Sequence, residues 1–532
     1  MNTRSCLAAG FSLMAAFGLQ ARNYTWIGGT EGAWSTAANW VADDDSSVHA
    51  VPSSGEDSAT LSCADGDITI VCNNGNSWLE PGLVFKTNVT FEVASGTCYM
   101  KGVTSGTGSL TKTGDGTLEL NGKSSRSGWT YVLGGVLVVG NERVLGQDGG
   151  CIVGDGVNPA ELKINRDVNW PARIFGPNDG SGDLIVKSNS ILSWDAANAN
   201  QTTANMSNFT LEKGAVARMG SHMLQNVNQL GVYTFAGEMY GLTSSVFKAQ
   251  SGTLYVPAGR TNTFYLPVAG LTSQYQYING YLCAKLKTDG GDGLEVDFHM
   301  PGTITDVWDA RDGLDIIGSG TVKISGNNST YGGNASNQGN TRVQSGRLLV
   351  DNTEGSGTGY SKVVVSAGAT LGGVGFIGGL TTDKIYSGSG RFSAYPTDPC
   401  VVVNGAVDNP GVLAPGSYED TTNARIYGTL TVGSAEAPSS VTMNANTKLA
   451  FEVGKGGATG LKVYGPLTLG TGVTLDVNVA EKAKSGDYVL VSATEGITGN
   501  YTITGNVKPT KVVQIGNEII LHVRNGLTLF VR

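Results

Sequence analysis

Histidine, charge and long apolar runs are all scarce in this chain, and each scarcity removes a class of function. Four histidines (His49, His222, His299 and His522) are spread over 532 residues without the short spacings of metal ligands. A zinc centre or a histidine base would therefore have to be assembled by the fold alone; only His299, in Val296-Asp297-Phe298-His299-Met300-Pro301, stands near other chemistry-bearing residues. Charged residues make up 15% of the chain, with 44 acidic against 35 basic. A net negative exterior disfavours nucleic acid and anionic membranes as partners, because both require a basic patch. No stretch after the first 21 residues approaches the ~18 consecutive apolar residues of a membrane-spanning helix. No G-x-S-x-G elbow occurs, and the G-x-G-x-x-G at Gly373 to Gly378 is a pattern that glycine-rich sequence produces freely.

The apolar stretch that is present lies at the start. Arg4, the run Leu7 to Leu19 and the small residue Ala21 form a secretory signal peptide over residues 1–21, with cleavage expected after Ala21.

Glycine is abundant, at 78 residues, about twice the usual ~7%. The glycines punctuate short apolar runs. Gly114 to Asn141 and Gly318 to Asn352 carry the same pattern, the second copy lengthened by a seven-residue insertion. Gly114, Gly116, Gly122, Gly128 and Gly135 align with Gly318, Gly320, Gly326, Gly332 and Gly346. Leu118, Leu120, Leu137 and Val139 align with Val322, Ile324, Leu348 and Val350. Alternation in Thr117-Leu118-Glu119-Leu120 and in Lys448 to Val453 predicts strands with one buried and one wet face, which puts Glu119 and Lys323 in solvent. A self-similar strand–turn–strand unit predicts an all-β solenoid, each unit burying its apolar face on the next. Its core grows along one axis, so 532 residues need not split into several globular domains.

Extended back to Gly106, the first copy reads GTGSLTKTGDGTLELNG, which resembles the autotransporter-associated β-strand repeat, also called the passenger-associated transport repeat, of bacterial surface and secreted proteins. Ala369 to Gly379, Gly411 to Gly416, Tyr427 to Gly433 and Gly465 to Val479 are similar to the degenerate rungs that follow such repeats. The resemblance implies a right-handed parallel β-helix on or outside the cell and names no ligand. It also carries a departure: passenger-like sequence runs on to Leu527 to Arg532 where an autotransporter would have its membrane barrel, so self-translocation is not expected.

Three regions follow the signal peptide. Residues 22–100 open with Trp26, Trp34 and Trp40, read as a cap on the first rung, with a sugar-stacking site as the alternative. Residues 101–355 hold the repeats and a looped middle, and 356–532 the last rungs. Six cysteines remain after the leader (Cys63, Cys72, Cys98, Cys151, Cys283 and Cys400); Cys63 and Cys72 flank a segment that would be stapled if it were a hairpin, and the other reading is small buried thiols. Sequons at Asn23, Asn88, Asn205, Asn208 and Asn328 read as turn asparagines that tolerate the left-handed backbone.

An acidic echo is the sharpest chemical feature. Asp289, Asp292 and Glu295 recur 20 residues later as Asp309, Asp312 and Asp315. If one coil takes 20 residues, these carboxylates stack in pairs ~4.8 Å apart, a calcium site in one reading and solvated turns screened by Arg311 in the other. No other cofactor is expected. The expectation is an exported, non-catalytic scaffold of the surface, matrix or adhesin type, a rod on the order of 100 Å, with polysaccharide or protein outside the cell as its partner. The rivals are a carbohydrate-active β-helix enzyme, a lyase or glycoside hydrolase in which carboxylates converge with Lys, Arg or His, and a carbohydrate-binding protein.

Overall fold

The computed structural model describes residues 21–72, 75–141, 144–146, 149–164, 183–194, 208–219, 232–235, 237–241, 253–256, 262–263, 268–269, 283–288, 295–300, 304–305, 313–329, 331, 340–379, 401–420, 422–507 and 511–524. Residues 1–20 of the expected signal peptide, Asn198 to Ser207 and the last eight residues lie outside them.

Short β-branched runs between glycines give short strands that cross a common interior. Among the described residues these strands build an all-β arrangement of long, mostly parallel sheets, consistent with a β-helix, with a short 3-10 turn at Ala37–Asn39. The longest sheet has 18 parallel strands, from Glu31–Ala33 and Ile68–Cys72 to Leu467–Leu469 and Ile497–Thr498, joined as an open ladder. Between visits to it the chain crosses other ladders. An eight-stranded one begins at Ser77–Leu79, a ten-stranded one takes its place from Asn262–Thr263 onward, and a five-stranded and a six-stranded sheet flank the two ends.

Register explains the repeat. Ile68, Val89, Leu110, Thr130 and Cys151 fall in one row of the long ladder, all buried, about one 21-residue circuit apart. Thr117–Leu120 lies between Thr97–Met100 and Gly135–Val139, with Leu118 and Leu120 inward. The aligned glycines share a conformation: Gly114 and Gly318 have φ of 76° and 94°, Gly135 and Gly346 of 59° and 65°. Stacking also demands glycine for space, since a Cβ on Gly122 would meet the Gly102 carbonyl oxygen at 1.8 Å. The described non-glycine residues with positive φ are Asn189, Asn328, Asn423 and Asn446, the turn role read for asparagine from sequence.

Both ends of the parallel array carry antiparallel strands. Trp40–Ala42 runs antiparallel to Asn23–Trp26, and Glu518–Val523 runs antiparallel to both Gly486–Ala493 and Val512–Ile515. Trp26, Trp34 and Trp40 are buried in edge-to-face contact, and the Trp26 and Trp40 indole N–H groups donate to the carbonyls of Gly29 and Trp34. They are core residues of this end, and no sugar-stacking surface is made from them.

Of the two readings of Cys63 and Cys72, the stapled hairpin is overturned. Ser58–Leu61 belongs to the five-stranded sheet and Ile68–Cys72 to the long ladder, so the segment between them turns a corner instead of reversing. Cys72, Cys98 and Cys151 are buried free thiols. Cys400 lies outside the described residues, and of Cys283 only its strand is described. Two cations also sit in the interior. Lys112 Nζ donates to the carbonyls of Thr113 (2.8 Å), Gly114 (2.7 Å) and Gly134 (3.1 Å). Burial lowers its pKa to about 8, against the opposing pull of Cys72, Asp115 and Cys98. The Arg126 guanidinium reaches Thr130 Oγ1 (2.9 Å) and the Trp129 carbonyl (3.1 Å), over the Phe85 ring.

Candidate functional site

The second repeat copy carries the chemistry. Phe298–Met300, Thr321–Ile324, Arg347–Val350 and Thr370–Gly373 are neighbours in the ten-stranded sheet, which places His299, Lys323, Leu349 and Gly372 in one row on its outer face. Strand alternation predicts that such a row is wet. Instead all four residues of Thr321–Ile324 are buried. Ser417–Tyr418 and Arg425–Ile426 form a small antiparallel hairpin whose residues cross this face, so the expectation that Lys323 lies in solvent is overturned by a segment almost a hundred residues downstream.

That hairpin is held by charge. Lys323 Nζ lies 3.1 Å from Asp420 Oδ1 and 3.2 Å from Asp351 Oδ2, and donates to the Tyr418 carbonyl at 3.1 Å. Side-chain exposure is 8% for Lys323, 6% for Asp351, 14% for His299 and 23% for Asp420, so the cluster is largely desolvated. Ser417 donates its hydroxyl to Asp351. Burial alone would lower the lysine pKa, but the two carboxylates outweigh it and raise the value. Burial would raise that of Asp420, but His299 and Lys323 outweigh it and lower the value. Around the rim, the guanidinium groups of Arg347 and Arg425 both lie over the Tyr418 ring, and these pair with Glu295 and Glu452, each at 2.9 Å.

Within the cluster His299 Nδ1 is 2.5 Å from Asp420 Oδ2 and Nε2 is 2.7 Å from Ser325 Oγ. A hydroxyl, an imidazole and a carboxylate in that order are the parts of a nucleophilic triad. Here the carboxylate is shared with Lys323, and Ser325 follows directly on a buried strand, so the same bonds also act as a clamp between sheet and hairpin.

Of the acidic echo, Asp289, Asp292, Asp309 and Asp312 lie outside the described residues. Glu295 and Asp315 are described and do not stack. Gly313 and Leu314 pair with Cys283 and Ala284, so the circuit here takes 30 residues in place of the expected 20, and Asp315 is level with Lys285 and Arg342. The longer circuit arises because extra chain is inserted between successive ladder strands. Asp315 accepts from Arg342 Nε (2.6 Å), Arg342 Nη2 (3.2 Å) and Gln344 Nε2 (2.9 Å), while Glu295 pairs with Arg347. Sequence reasoning singled out His299 but missed Ser325, Asp351 and Asp420, whose only link to it is spatial. Gly373 to Gly378 holds the end of one short strand and the whole of another, Phe376–Ile377, which is not the strand-to-helix turn of a dinucleotide site.

No protein-family model matches the chain. Over 294 residues, 49% of its length, it is 29% identical to the adhesin BmaC autotransporter of Brucella suis biovar 1 (strain 1330). The chain spans 8% of that much longer protein. Among the described residues no helix is long and apolar enough to cross a membrane.

Proposed function

We propose that this chain is an exported, right-handed parallel β-helix that serves as an adhesin-type scaffold at the cell surface or in the extracellular matrix, without catalysis, and binds polysaccharide or protein there. The observation that carries this reading is the unbroken ladder of 18 parallel strands, which at ~4.8 Å per strand makes a rod on the order of 80 Å long. Similarity to a stretch of an autotransporter adhesin supports it. A scaffold needs an extended, protease-resistant surface and no cleft. Small-angle scattering of the mature protein should give a rod, and beads coated with it should bind animal cells or extracellular polysaccharide above an uncoated control. A compact particle, or coated beads that bind no better than bare ones, refutes the reading.

One observation favours a second reading, the Ser325–His299–Asp420 arrangement, which would make the chain a serine hydrolase. In that case a fluorophosphonate probe labels Ser325, and Ser325→Ala abolishes the labelling. The scaffold reading expects none, because the hairpin lies across the site and Lys323 holds the carboxylate.

A further inference from the structure

The interior of the first circuits holds a thiol pair that the scaffold reading does not use. Cys72 ends the strand Ile68–Cys72 of the long ladder, and Cys98 lies in Thr97–Met100 of the neighbouring ladder, one circuit on from Ser77. The two side chains point inward from different sheets and meet at the corner, both buried, with their sulfurs 3.2 Å apart. We propose that Cys72 and Cys98 form a disulfide when the protein is exported into an oxidising compartment, tying two successive circuits together across the core.

The sulfurs are already in contact at 3.2 Å and need to close to about 2.05 Å for the bond to form. The competing partner, Cys63, belongs to the corner after Ser58–Leu61 and is not joined to Cys72 by a hairpin. The bond closes a loop of 26 residues, a span over which cross-linking restrains the unfolded chain appreciably. The chemistry needs an oxidant, here a small-molecule disulfide such as oxidised glutathione. One protein thiolate attacks it and releases one glutathione thiol; the second protein thiolate attacks the mixed disulfide and releases the other. Two protein thiols lose two protons and two electrons, and one disulfide is reduced to two thiols. Once folded, the pair resists exchange: its mutual hydrogen bond, then burial, raise the Cys98 pKa, while the Lys112 charge opposes them. Closure therefore belongs to folding, before the core excludes the oxidant.

The test is peptide mapping of the mature wild-type chain refolded with oxidised glutathione, alkylated under denaturing conditions and digested without reductant. The expected product is one linked species joining the Cys72 and Cys98 peptides, two hydrogens lighter than their sum. Cys72→Ser and Cys98→Ser should each abolish it and lower the melting temperature by several degrees, and reductant should lower the wild type to match. Full alkylation of both cysteines, or a Cys63–Cys72 link, overturns the proposal. The wild-type map decides the matter even if a serine variant fails to fold.

Discussion

Thr117–Leu120 and Thr321–Ile324 hold the same place in two copies of one sequence repeat, yet they differ in what their outer faces meet. In the first copy Leu118 and Leu120 are buried and Glu119 is part-exposed, the alternation of a half-wet strand. In the second, Val322 and Ile324 keep the interior role while Lys323 is sealed beneath the hairpin and bound to Asp351 and Asp420. The inward half of the motif is fixed by the circuit it stacks in, whereas the outward half takes its meaning from whatever chain later lies on it. A repeat therefore transfers the fold from copy to copy and leaves the outer face free to differ.

Four measurements would break or sharpen that contrast. The largest effect should be common to both copies: Leu118→Asp and Ile324→Asp each place an unpaired charge in the core and should cost about 3–5 kcal/mol in denaturant unfolding. A mild effect at either position would mean the two strands are not equivalent inside. Next in size, Lys323→Glu should cost roughly 3 kcal/mol, near the lower bound for breaking a buried pair because Asp420 stays partly wet, whereas Glu119→Lys should fall within about 0.5 kcal/mol. Equal costs would remove the distinction between the copies.

The third concerns Lys112, an inward lysine set against the outward Lys323. Its folded pKa of about 8 lies below the unfolded value, so the unfolded chain binds more protons between pH 8 and about 10.4 and stability contributed here rises across that window, by at most about 3 kcal/mol. Lys323 has the opposite sign: its raised pKa gives stability that is complete below the unfolded lysine value and is lost as pH rises through the folded one. Unfolding of Lys112→Met should lack this gain, so the wild type should improve relative to it from pH 8 to about 10.4, and a difference between the two that does not change with pH would contradict it. The smallest effect is acidic. The lowered Asp420 pKa contributes stability present above the unfolded value of about 3.9 and lost as pH falls through the folded one. Asp420→Asn should flatten that limb, and an unchanged acid profile would show that Asp420 does not hold the hairpin.

The sequence made the strand pattern legible because the signals are local: alternation in Thr117–Leu120, glycine where φ is positive at Gly114 and Gly318, and asparagine at the tight turns. The clustered site was not legible. Ser325, His299 and Asp420 have no common spacing, and the hairpin that joins them arrives from a distant part of the chain. The one local hint is the loss of alternation in Leu348-Leu349-Val350, where the outward Leu349 is buried. It does not discriminate, since Leu137-Val138-Val139 in the first copy reads the same and Val138 is buried too. The acidic echo misled for a related reason, since counting 20 residues assumes a constant circuit while the ladder pairs Cys283 with Gly313.

Parallel stacking on a fixed register makes the length of this molecule adjustable in whole steps. A strand row accepts any circuit that returns its apolar residues to the same places, so a copied segment of about 21 residues, spliced in at the Gly102–Gly122 step, should lengthen the rod by ~4.8 Å and leave the antiparallel strands at either end undisturbed. On the proposed surface role, reach then becomes a quantity that duplication can tune without redesigning either end, and whatever the outer face displays is carried along with it.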